Sequence, residues 1–85
     1  MGKVITTFKV MPKGLEIDLE KLEKEIKNKI DPERMEKIPI AFGLNALKVI
    51  KFIPEKDGEI DRIENLLKNI DGVSEVEVIE MTRSL

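Results

Sequence analysis

Residues Arg34 to Ile53 read RMEKIPIAFGLNALKVIKFI, two extended runs that follow one another with no helical period between them. The first, Arg34 to Phe42, carries Glu36 and Lys37 and includes Pro39, whose missing amide would break a central ladder. It belongs at a sheet edge. The second, Leu44 to Ile53, has apolar residues on both faces and is closed by Pro54, as a central strand would be. Their junction is unusual, because Pro39, Ile40, Ala41, Phe42, Gly43 and Leu44 bear neither a charge nor a hydrogen-bonding side chain where a hairpin tip is ordinarily polar.

Upstream, Lys3 to Met11 (KVITTFKVM) is β-branched and aromatic, with Val4, Thr6, Phe8 and Val10 on one face and Ile5, Thr7 and Met11 on the other. After the turn MPKGLEID, Leu19, Leu22, Ile26 and Ile30 form one stripe of an amphipathic helix. Asp18 is placed as its N-cap, Ile17 and Leu22 as a hydrophobic staple, and Pro32 as its stop. Downstream, EKDG is a turn with Asp57 expected to cap a second helix, whose stripe is Ile60, Ile63, Leu66 or Leu67, and Ile70. Gly72 sits where a left-handed C-cap is wanted. Val73 to Thr82 alternates valine with glutamate, as a half-exposed edge strand does.

The order is strand, helix, strand, strand, helix, strand, in two similar halves of about forty residues that each hold a βαβ unit. This is the ferredoxin-like α+β arrangement, in which both helices cover one face of a four-stranded antiparallel sheet of spatial order 4-1-3-2. The pattern agrees, since strands one and three are apolar while two and four carry charges and the proline.

With 85 residues the chain is expected to be one domain spanning 1–85. It has no cysteine and no histidine, which removes disulfides, zinc fingers, thiol nucleophiles and imidazole bases together. The 15 basic and 17 acidic residues leave a net charge of −2 without a long run of either sign, so the electrostatic footprint of a nucleic-acid binder is missing. A protein partner fits better. No secretory signal or membrane-length apolar run is recognisable, and a soluble, intracellular protein is expected. Met1-Gly2-Lys3-Val4-Ile5-Thr6 satisfies the loose myristoylation consensus, but the same residues open a strand that the core needs. Charged residues make up 38% of the chain, a bias that suits a protein working hot.

Catalysis would have to rest on Asp, Glu, Lys, Arg, Ser and Thr. Glu16, Glu20 and Glu23 with Lys24 and Lys27 have spacings that read as solvated ion pairs on a helix surface. The first turn has one glycine and no GK[ST], so it is not a phosphate loop, and it lacks the arginine that an acylphosphatase of this fold would need. RNA recognition on this fold stacks bases on aromatics of strands one and three, but the chain has three Phe and no Tyr or Trp. Phe8 and Phe52 read as core residues. The apolar hairpin has two readings: Ile40 and Phe42 fold back over the sheet end, or Phe42 projects beside the permissive Gly43 as an anchor for a partner.

The segment PIAFGLNALKV resembles the PI-[AG]-FG hairpin of the translation elongation factor 1-beta family. KVITTFKVMP is similar to that family's first strand and GVSEVEVIEMTRSL to its last strand and tail, and the length and element order match the short archaeal form. The resemblance implies a guanine-nucleotide exchange factor for elongation factor 1-alpha, the GTPase that carries aminoacyl-tRNA to the ribosome. It implies a hairpin phenylalanine, here Phe42, that enters a pocket on the GTPase, with Pro39, Ile40, Ala41, Gly43 and Leu44 around it as partner-binding residues. It also implies a basic residue near the C-terminus that intrudes on the magnesium site, a role that falls on Arg83, where the family's eukaryotic forms have lysine. On this reading the chain needs no cofactor, metal ligand or catalytic residue, touches neither nucleic acid nor membrane, and works in the cytoplasm as a monomer when free. The rivals are a small dimeric regulatory or ligand-binding module, and an assembly module whose hairpin is buried in its own core.

Overall fold

The two apolar runs, β1 (Lys3–Pro12) and β3 (Leu44–Pro54), lie side by side in the middle of one antiparallel sheet, and the charged runs, β2 (Arg34–Ala41) and β4 (Val73–Arg83), form its edges. The computed structural model describes residues 2–83; Met1, in the myristoylation consensus, and Ser84 and Leu85, in the family-like tail, lie outside them. The spatial order β2-β3-β1-β4 is the expected 4-1-3-2 read from the other edge. This is the ferredoxin-like α+β fold.

One face of the sheet meets α1 (Leu19–Ile30) and α2 (Glu59–Lys68). Phe8, Val10, Leu47, Val49, Ile53 and Val76 of the strands pack with Leu22, Ile26 and Ile30 of α1 and Ile63 and Leu67 of α2 in a single buried cluster. Phe8, Ile26, Leu47 and Leu67 are fully buried, and each such side chain contributes about 1.5–3 kcal/mol of transfer free energy. The other face carries no helix. Its pairing Ile5↔Phe52 turns the Phe52 ring there, half in water at 39% exposure, so Phe52 is not a core residue as expected. Side chains alternate along a strand, and Ile53 takes the inward position that Phe52 then cannot have.

Asp18 caps α1, its Oδ1 accepting from the Glu20 and Lys21 amides at 3.0 and 3.3 Å. Leu22 joins the core, with Ile17 packed against it. Asp31 ends the helix in a left-handed turn (φ 45°) immediately before Pro32. The start of α2 differs from expectation. The Glu59 amide donates to the Lys56 carbonyl at 3.2 Å, and Gly58 in the left-handed region (φ 81°) becomes the N-cap. Asp57 is thereby one residue too early, and α2 begins without a side-chain cap bond. Its far end closes at Asn69 in right-handed geometry, not at Gly72. Gly72 is left-handed (φ 94°), but it turns the chain into β4 and gives its carbonyl to the Lys13 amide at 2.9 Å. Ion pairs run along α2, Arg62 with Glu59 and Lys68 with Glu64. Among the described residues none joins the α1 carboxylates to Lys24 or Lys27.

β4 pairs with β1 through a bulge. Thr7 faces Glu80 and Phe8 faces Val78, which leaves Ile79 as an extra residue. Past it Met81 and Arg83 lie opposite Thr6 and Val4, the strand positions that point to the helix side.

Candidate functional site

The β2–β3 hairpin closes on the pair Ala41↔Leu44 with Phe42 and Gly43 between them. Both have positive φ, 52° and 78°, which is the two-residue mirror-image turn whose twist matches the strands it joins. Asparagine and glycine suit such a turn; phenylalanine does not, and an L-residue there costs roughly 1–2 kcal/mol. The sequence offered Gly43 as a residue that permits a sharp or left-handed backbone beside the aromatic. Phe42 takes it as well, and its ring is 98% exposed. The hairpin does not fold back over the sheet.

Around that ring Pro39, Ile40, Ala41 and Gly43 are exposed and Leu44 is half-buried. Ile40 has no partner in β3, because the register shifts between Pro39 and Ala41. A bulge at this edge blunts further strand pairing.

Sequence reasoning missed Leu15. In the turn between β1 and α1 the Ile17 amide donates to the Gly14 carbonyl at 3.3 Å, which puts Leu15 at a corner, 68% exposed. Its Cδ2 lies 3.9 Å from where a Cβ on Gly43 would stand. The signal was present as an apolar residue between Gly14 and Glu16, but nothing local says that the turn ends beside the hairpin.

Arg83 is elsewhere. β1 runs antiparallel to both neighbours, so the hairpin tip lies beyond the Pro12 end of β1, whereas Arg83 lies opposite Val4 at its start. The separation is roughly 30 Å at ~3.3 Å per strand residue. The structure therefore does not bring Phe42 and Arg83 together. Arg83 Nε pairs with Glu55 Oε1 at 3.1 Å, on the rim of an open depression of about 720 Å³ shared with Val4, Lys56, Asp57 and Met81.

On α2 one contact shifts the titration of both its members. Hydrogen bonds from Arg62 hold the Glu59 carboxyl below the usual carboxylate range, and the same contact raises the guanidinium. They form a surface ion pair far from the hairpin. Among the described residues no group of three or more His, Cys, Asp or Glu is arranged to hold a metal ion, and no helix is long and apolar enough to cross a membrane. What the hairpin end offers is an apolar contact surface.

The family model described as the EF-1 guanine nucleotide exchange domain matches residues 5–83. The chain is 46% identical over 89 residues to elongation factor 1-beta of Metallosphaera sedula, covering 98% of this chain and 97% of that protein. Against the protein of the same name from Methanothermobacter thermautotrophicus the identity is 42% over 88 residues, with 98% of each chain covered. The Thermoplasma acidophilum elongation factor 1-beta is 38% identical over 80 residues, covering 89% of this chain and 91% of that one. A family model spanning nearly the whole sheet and both helices, with relatives this similar, establishes that the chain belongs to the EF-1 guanine nucleotide exchange domain family.

Proposed function

We propose that this protein promotes GDP release from the translational GTPase elongation factor 1-alpha by docking Phe42 into an apolar pocket on it, with Pro39, Ile40, Ala41, Gly43 and Leu44 framing the contact. The observation that carries this reading is a phenylalanine ring almost wholly in water, held in a backbone conformation that phenylalanine disfavours. Folding gains nothing from that arrangement. Strain retained at an exposed aromatic has a ready explanation if the ring is buried in a partner.

Exchange makes and breaks no covalent bond. It needs a surface that binds the nucleotide-free GTPase better than the loaded one. Moving occupancy from 1:99 to 99:1 takes about 5.5 kcal/mol of differential affinity, and one buried aromatic supplies ~1.5–3 kcal/mol. Further contacts must supply the rest. Arg83 is the proposed second element: a cation brought toward the magnesium that bridges the nucleotide phosphates repels the metal and competes for its ligands. To act there its guanidinium leaves Glu55, an exposed pair of the kind that contributes only about 0–1 kcal/mol. The free protein is a cytoplasmic monomer on this reading. Glu75, Glu77 and Glu80 along the β4 edge disfavour pairing with a second copy.

The test is stopped-flow release of a fluorescent GDP analogue from the cognate elongation factor 1-alpha, across a magnesium titration. Acceleration by the wild-type chain, most of it lost in Phe42→Ala without a lowered melting temperature, is the expected result. A wild-type chain that leaves the release rate untouched at every concentration overturns the function.

A further inference from the structure

The β1–α1 turn is built more firmly than a loop tip requires. Its entry is tied by the Lys13 amide to the Gly72 carbonyl at 2.9 Å, and its corner is closed by the bond from the Ile17 amide to the Gly14 carbonyl. Between those two fixed points Leu15 is held out with 68% of its surface in water. Turn corners favour Gly, Asn, Asp and Ser; a lone exposed leucine is ordinary on a protein surface, so only neighbouring exposed apolar groups can give this one a reason.

Its surroundings supply one. Leu15 and Gly43, in near contact with each other, line a small cleft together with Ile17, Leu19, Leu44 and Asn45. The cleft opens at the same end of the sheet as the exposed Phe42 and Ile40. Its volume is about 120 Å³, well under the ~300–1,000 Å³ of small-molecule sites. A metabolite does not fit, and a single side chain does. Gly43 brings the hairpin up to Leu15: a Cβ on it would stand in ordinary van der Waals contact with Leu15 Cδ2.

We infer that Leu15 is a second apolar anchor for the GTPase that Phe42 engages, and that the cleft beside it receives one aliphatic side chain of that partner. The inference rests on the exchange reading above and extends its contact surface to a segment almost thirty positions away in sequence. Contacts of this kind contribute to affinity, while the displacement of nucleotide is left to other groups. Leu15 is thus a binding residue, and its loss alters the concentration dependence and not the limiting rate.

The experiment titrates wild type, Leu15→Ser, Leu15→Gln, Leu15→Met and Phe42→Ala against the cognate elongation factor 1-alpha, following release of the fluorescent GDP analogue. Melting temperature is measured for each. Both polar variants are expected to raise the half-saturating concentration about 5- to 30-fold, as loss of a partly exposed leucine's burial should. The limiting rate and melting temperature stay at wild-type values, and Leu15→Met restores the titration. Polar variants that titrate like wild type, while Phe42→Ala does not, overturn this inference and leave the exchange function standing. A Leu15→Met variant as weak as Leu15→Ser also overturns it, because apolar contact would not then be what matters. No acceleration by wild type removes the exchange function and this inference with it.

Discussion

Phe42 carries a conflict between stability and use that can be measured. A left-handed φ suits Asn or Gly, and Asn-Gly is the favoured pair for a two-residue hairpin of this twist. The ring contributes no burial within the chain, so replacing it loses nothing in the fold. Phe42→Asn is therefore expected to stabilise the protein by about 0.5–1 kcal/mol. For a domain of this size that raises the melting temperature by about 2–8 °C. The same substitution should abolish most of the acceleration of GDP release. A melting temperature that falls would show that the ring supports the hairpin and would count against its role as a protruding anchor. Phe52 makes the opposite point. It looks like a core residue by type, yet strand parity turns it onto the helix-free face.

The two helices have similar apolar stripes and different beginnings. Asp18 accepts two amide hydrogen bonds at the start of α1, and Asp57 accepts none at the start of α2. Asp18→Ala is expected to cost about 0.5–2 kcal/mol in denaturant unfolding, the usual loss for such a cap, while Asp57→Ala should be close to neutral. Equal losses would contradict the assignment of Gly58 as the cap. The difference also marks where the sequence stopped being readable. Alternation in β1 and β3, the stripes of α1 and α2, the stops at Pro32 and Pro54 and the edge character of β2 and β4 are local patterns, and all were legible. That Gly58 and not the expected Asp57 caps α2 is decided by the backbone path between Lys56 and Glu59. The left-handed Phe42 was hidden because turn preferences argue against it, and Leu15 because its meeting with Gly43 joins distant segments. The hairpin itself was legible as a site because apolar residues stood where folding wants polar ones.

At the scale of the whole molecule, the sheet keeps Phe42 and Arg83 at opposite ends of an object 42 Å long. Between them lies the continuous core, so neither side chain can influence the other through direct contact. Any partner that meets both must present two areas roughly 30 Å apart.

Ile79, the unmatched residue of β4, shifts the count of everything after it. Without such an offset, a strict in-and-out rhythm from Val76 and Val78 would drive the Glu80 carboxylate toward the hydrocarbon layer and turn the closing guanidinium to the bare side. Adding one alanine between Glu80 and Met81 should undo that offset, swing Arg83 across the sheet away from Glu55, and leave melting almost unchanged. Exchange by such a variant, followed over magnesium concentration, is expected to be slowed, to the same degree as in Arg83→Ala, which removes the cation outright; wild-type behaviour would mean that the orientation is irrelevant. The tally of residues in the last strand, and not their chemistry alone, thus governs where the final charge is delivered.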